Sequence, residues 1–315
     1  MVTANVGPRI IYFGRVGGHN FLKNLDRQMG LSGEADWMIR GGSRIWIAPE
    51  DRIASYAPDN QPVQVEVSGN TLAATAPVEE GPRVQKQMVI RVSEQDSGVE
   101  VVHRVRNCCQ LPSEFAVWVL TVMAPGGTAV TGLPPRGTHP EKLAPSNPLI
   151  IWPFTGLSGP RWRFLRKYLL LEQDLLGPSL QKIGHFDRHT WGGYFLNGDL
   201  FVKRCVADPT RAYPDLGSSF EMFTNAEMCS NSRHSGRCAG SRQANRSSTP
   251  SCGPYTARRR RRYGMTKKST GFAQTSWSGD SYLRNAIASL SALSDCGWSP
   301  GTGAVRAKQA LLFIV

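Results

Sequence analysis

The stretch Gln87-Met-Val-Ile-Arg-Val-Ser-Glu-Gln-Asp-Ser-Gly-Val-Glu-Val-Val-His-Arg-Val105 decides the fold. Met88, Ile90 and Val92 fall on one face, and Gln87, Arg91 and Ser93 on the other. After Asp96-Ser97-Gly98 the alternation resumes with Val99, Val101, His103 and Val105. A period of two is that of a strand with one buried face, and a turn between two such runs makes an antiparallel hairpin. Val63, Val65 and Val67, alternating with Gln64 and Glu66, extend the pattern upstream. Turn formers recur at Ser68-Gly69-Asn70, Pro125-Gly126-Gly127 and Asn197-Gly198-Asp199. The last of these separates Trp191-Gly-Gly-Tyr-Phe-Leu196 from Leu200-Phe-Val202 and predicts a tight hairpin. Gly18 to Met29 has the spacing of one short helix. Many short strands with few helices predict an all-β sandwich or barrel over residues 1–228.

The character of the chain breaks at Met228. Residues 1–228 carry nearly equal numbers of basic and acidic side chains. Residues 229–315 carry fourteen Lys and Arg against only Asp280 and Asp295, so nearly all of the net charge of +13 arises in the last 87 residues. A basic chain ordinarily points to nucleic acid or an anionic surface, but the charge split removes that argument for the first 228 residues. No run approaches the 18 or so apolar residues of a membrane span. The start, Met1 to Pro8, lacks a basic segment followed by an apolar one, which predicts a cytoplasmic protein with reduced thiols. His185 and His189 flank Asp187, but no third ligand follows from spacing, so neither metal nor cofactor is expected.

Six tryptophans, Trp37, Trp46, Trp118, Trp152, Trp162 and Trp191, lie in the β-rich body. Flat rings beside Arg, Asn and Glu suit a sugar, because the ring stacks on apolar C–H faces while polar groups take the hydroxyls. Several stretches then occur in a telling order: Gly7-Pro-Arg-Ile-Ile11, Gly18-His-Asn-Phe-Leu22, Gly41-Gly-Ser-Arg-Ile-Trp-Ile-Ala-Pro-Glu50, Arg104-Val-Arg-Asn107 and Ala116-Val-Trp-Val-Leu-Thr-Val-Met-Ala-Pro-Gly-Gly127. Trp152-Pro-Phe-Thr155, Lys182-Ile-Gly184, Trp191-Gly-Gly-Tyr194, Tyr213-Pro-Asp215 and Phe220-Glu-Met-Phe-Thr-Asn225 follow. Together they resemble an uncharacterised bacterial family of the galactose mutarotase-like superfamily, over residues 7–228. The resemblance implies a β-supersandwich, two large antiparallel sheets with a concave carbohydrate-binding face. Aldose mutarotases open a sugar ring with a His acid and a Glu base. Where their Asn-His-x-Tyr-Phe motif would fall, this chain reads Asn107-Cys-Cys-Gln. Sugar binding is therefore the first expectation and aldose epimerisation the alternative.

The candidate acid–base residues are Glu221, Asp215 and Lys182. Glu221 lies inside an apolar strand between Phe220 and Met222, where a carboxylate is paired, exposed or functional. Asp215 follows Tyr213-Pro214 in a turn, and Lys182 stands two residues before Gly184. The candidate sugar contacts are Asn20, Arg44, Trp46, Glu50, Trp118 and Trp191. Arg44 and Trp46 share strand parity and so can face one side.

Residues 229–286 are rich in Ser, Arg and Gly and poor in aliphatic side chains, and 229–315 as a whole is expected to be an aberrant basic tail that does not order itself, beyond a β-domain spanning 1–228. Arg258 to Arg262 would suit nucleic acid, but with no interleaved aromatic ladder this reading is disfavoured. The composition is also that of a GC-rich coding region read out of frame. With the frame shifted by one base, permitted codons from Cys229 to Gly253 spell LLELETLGPLRRLAPGQSVEHTELW, a strand, an Ala-Pro-Gly turn and a second strand. A frame change at codon 228, in the gene or in its sequencing, is the reading this favours. An intact frame in the coding DNA and in the matching peptides would refute it.

Overall fold

The computed structural model describes residues 1–95, 97–110, 113–135, 137–146, 148–174 and 180–224, and the strand at 309–314. The predicted disorder of 229–286 and the Arg258–Arg262 run lie outside the described residues. The chain opens with β1 (Arg9–Ile10) and β2 (Ser43–Ala48), then β3 (Gln64–Ser68), β4 (Thr71–Val78), β5 (Val84–Val92) and β6 (Val99–Asn107). It continues through β7 (Ala116–Val122), β8 (Thr128–Gly132), β9 (Leu149–Ile151), β10 (Trp162–Phe164) and β11 (Tyr168–Glu172). Then come β12 (Gln181–His185), β13 (Trp191–Leu196), β14 (Asp199–Arg204), β15 (Phe220–Thr224) and β16 (Gln309–Ile314).

The architecture is all-β, as the alternation predicts. A seven-stranded sheet has the order β1-β2-β7-β16-β15-β12-β9, a five-stranded sheet β10-β11-β8-β13-β14, and a four-stranded sheet β3-β4-β5-β6. The two larger sheets share one core. Ile45, Val119, Ile183 and Met222 from the first meet Ala129, Leu169, Tyr194 and Leu196 from the second, and Met88 and Ile90 of the third sheet close it. Each fully buried apolar side chain of this size contributes roughly 1.5–3 kcal/mol.

The hairpins fall where turn chemistry places them. In β5–β6, Met88 faces His103, Ile90 faces Val101 and Val92 faces Val99. In β13–β14, Asn197 and Gly198 have φ of 51° and 87°. Two consecutive positive φ values match the right-handed twist of the flanking strands. Three expectations differ. The segment 18–29 holds only a 3₁₀ turn at Asp26–Gln28, because its backbone is taken up by pairing: Leu22 bridges Met123 and Asn24 bridges Gly41. β3 is exposed along its whole length rather than half-buried, because it is an edge strand beyond the reach of the core. Residues 309–314, assigned by sequence to the tail, form a strand in the middle of the largest sheet. β16 runs parallel to both neighbours, Ala310 opposite Trp118 on one side and Leu312 opposite Glu221 on the other.

Candidate functional site

Strand parity divides the seven-stranded sheet into a core face and an outer face. Ile45, Val119, Ile183 and Met222 point into the core. The residues between them, Arg44 and Trp46 on β2, Trp118 on β7, Lys182 on β12 and Glu221 on β15, therefore share the outer face. That face is covered in turn: Trp46, Trp118 and Leu120 pack with Ala207, Tyr213, Trp37 and Tyr56. Burial on both sides explains why β2 and β7 are buried at every position.

An acid–base cluster occupies one half of this face. The Lys182 ammonium lies 2.9 Å from Glu221 Oε2, and both side chains are almost wholly buried. The same ammonium stands 4.0 Å from the centre of the Trp152 ring and 4.9 Å from that of Trp118, so two aromatic faces share its charge. Gly184 makes the pair possible. It stands directly opposite Glu221 in the ladder, and a Cβ there would come within 3.3 Å of Glu221 Cγ and 3.1 Å of Ser218 Cβ. With no side chain at 184, the glutamate lies across the strand and reaches the lysine diagonal to it.

Asp215 completes the cluster from a strained turn. Asp215 and Leu216 have φ of 51° and 57°, in the left-handed region. That conformation costs roughly 1–2 kcal/mol for each non-glycine residue. The turn is held by Ser218, whose backbone N–H donates to Pro214 O at 3.0 Å and whose hydroxyl donates to Asp215 O at 2.9 Å. The half-buried Asp215 carboxyl then lies within interaction range of Glu221. Burial pushes the Glu221 carboxyl up to about 8; Lys182 opposes the shift and Asp215 adds to it. Glu221 so holds a proton at a pH where an exposed glutamate has lost it.

The other half of the face is aromatic and cationic. Trp46 stands opposite Trp118 across the β2–β7 ladder, their ring centroids 5.7 Å apart. Trp37 and Tyr56 each pack within 5.6 Å of Trp46. The Arg44 guanidinium lies 5.2 Å from Trp37 and 5.7 Å from Trp46, and makes a 3.2 Å ion pair with Asp59. Arg9 holds the same carboxylate and donates to the carbonyls of Ile39 and Gly41. Burial lowers the pKa of both arginines, against the attraction of Asp59. Tyr56 donates its hydroxyl to the exposed Glu50; burial, then that carboxylate, raises the phenol to about 12.

The structure thus brings together Glu221, Asp215, Lys182 and Trp118, with Arg44, Trp46 and Glu50 continuing the same face. Arg44 and Trp46 lie beneath Trp37 and Tyr56, as supports of the face rather than its surface. Two candidates lie elsewhere. Asn20 clamps a loop: its Oδ1 accepts from the backbone of Phe13 and Leu22, and its Nδ2 donates to Ile11 O. Trp191 belongs to the five-stranded sheet, where it packs on Tyr168 and fills the space left by Gly132. His185 is buried between the sheets on Thr131 Oγ1, 2.9 Å from its Nε2. Sequence reasoning missed Trp152 and Asp59 as members of the face. Trp152 carried a signal, its place in Trp152-Pro-Phe-Thr155, whereas nothing local marks Asp59.

Among the described residues no group of His, Cys, Asp and Glu is arranged to hold a metal ion, and no helix is long and apolar enough to cross a membrane. Compared with known protein families, with curated proteins and with solved structures, the chain matches none.

Proposed function

We propose that this chain binds a carbohydrate on the outer face of the seven-stranded sheet, beside Trp152, Asp215, Lys182 and Glu221. The observation that carries this reading is the convergence of a half-buried tryptophan, a partly exposed carboxylate and a buried, proton-holding glutamate on one spot. An indole face takes the apolar side of a pyranose, and carboxylates take its hydroxyls. The resemblance of the sequence motifs to the galactose mutarotase-like superfamily supports the same reading, since it implies a concave carbohydrate-binding sheet face.

The same pair of carboxyls supports the enzymatic alternative, an aldose epimerase. Ring opening at an anomeric centre needs one group to give a proton to the ring oxygen and another to take one from the anomeric hydroxyl. Glu221, which burial holds protonated, suits the first role, and the half-buried Asp215 beside it suits the second.

Calorimetric titration with a panel of monosaccharides tests the binding reading. Asp215→Asn and Trp152→Ala are each expected to weaken the best binder at least tenfold without changing the thermal midpoint of unfolding by more than a few degrees. Absence of any monosaccharide binding, or unchanged affinity in both variants, would overturn it. Anomer exchange followed by NMR with the same sugar then separates enzyme from binder.

A further inference from the structure

A groove of about 780 Å³ runs between the four-stranded sheet and the sandwich, within the range of small-molecule sites. Its walls are apolar, with Leu72, Ile90 and Val99 on one side and Leu22 and Phe201 on the other. The described residues that line it include no carboxylate. At its floor, Lys203 of β14 reaches from the five-stranded sheet to the seven-stranded one and donates to Thr121 Oγ1 at 2.8 Å. Ser43 Oγ stands 3.1 Å from the same oxygen. Ser43 and Thr121 face each other across the β2–β7 ladder, so both hydroxyls are fixed by the sheet. Lys203 is half-buried, lines the groove, and has no carboxylate partner among the described residues.

A cation withdrawn from water without a counter-charge is unfavourable, and the molecule shows the effect: burial holds the Lys203 ammonium down to about 7. An entering anion would supply the missing charge, and an apolar body would cover the walls. We propose that this groove binds an amphipathic monocarboxylate, its hydrocarbon part on the apolar walls and its carboxylate on Lys203 Nζ beside the Thr121 and Ser43 hydroxyls. The proposal is independent of the carbohydrate reading, which concerns the opposite face of the seven-stranded sheet.

Five titratable groups bear on its pH dependence besides Lys203. His103 on β6 is held neutral by burial and by Lys203, its pKa lowered to about 3. Cys205 on β14 is raised by burial to about 11. Arg204 and Tyr12 line the groove. The Met1 amine lines it too, bonded to Tyr12 O, and burial lowers its pKa. Lys203 at about 7 and the Met1 amine, lowered from 8.0, are the groups whose shifts bring a proton loss below pH 9.

Calorimetry with decanoate and with 1-decanol as probes distinguishes the possibilities. Decanoate is expected to bind at least tenfold more tightly than decanol at pH 6.5, and to lose more than tenfold in affinity by pH 9. Lys203→Met is expected to remove most of the preference and of the pH dependence, what remains being that of the Met1 amine, while leaving decanol binding intact. Equal affinity for the two probes, no binding of either, or a preference and pH dependence undiminished in Lys203→Met would each overturn the proposal. Should Lys203→Met fail to fold, the two probes and the pH series on the unaltered protein decide it alone.

Discussion

A chain ending at residue 308 is expected not to fold. It would lack β16, which makes four register pairs with β15 and six with β7. At roughly 0.5–1.5 kcal/mol net for each backbone hydrogen bond, the two ladders are comparable with the whole stability of a domain, about 5–15 kcal/mol. The loss also exposes two strand edges, of β7 and β15, in the centre of a sheet, where no proline guards them. The expected result is a chain that loses its near-ultraviolet circular dichroism and its cooperative thermal transition. A truncated chain with the midpoint of the full one would show that β16 is dispensable.

Breaking the buried pair from its acidic side is expected to cost far more than from its basic side. Glu221→Leu leaves the Lys182 ammonium buried without the carboxyl oxygen it bonds, and orphaning a buried charge in this way costs about 3–5 kcal/mol in comparable pairs. Lys182→Met leaves Glu221, which keeps its proton and stays neutral, so the cost is about 1–2 kcal/mol, mostly of packing. The double variant Lys182→Met with Glu221→Leu is expected to recover most of the loss. Urea titrations of the three variants measure this, and equal losses in both single variants would refute the asymmetry.

The pH dependence follows with a definite sign. Glu221 has a raised folded-state pKa, so between about 4.5 and about 8 the folded chain holds a proton that the unfolded chain releases. Its contribution is complete below the lower limit and is lost as pH rises through the upper one. The slope is at most about 1.4 kcal/mol per pH unit, and it is expected to be absent from Glu221→Leu.

The sheet architecture was legible because alternation is local. Gln87 to Val105 announces its hairpin in nineteen residues, and Asn197-Gly198 announces another in two. Within the site, Glu221 was legible because a carboxylate between Phe220 and Met222 breaks an apolar run, and Trp46 and Arg44 because parity puts them on one side. What parity cannot tell is which side is core and which is overlaid by loops. Arg44 and Trp46 therefore read as surface when Trp37 and Tyr56 cover them. Asn20 read as a sugar contact because a sequence does not show which backbone groups an amide side chain already satisfies. β16 was illegible for a different reason. Parallel pairing between Phe220 and Leu311, 91 residues apart, leaves no turn and no adjacent partner strand to read.

The placement of β16 has a consequence for how the protein is made. β7 and β15 leave the ribosome before residues 225–308, and the strand that joins them comes only after. At ~5–20 residues per second, those 84 residues take roughly 4–17 s to synthesise. For that time the nascent chain holds two halves of a sheet whose facing edges have nothing between them. Completion of the sheet is thus a late event of translation, and the interval before it is when a holding chaperone would have most to bind.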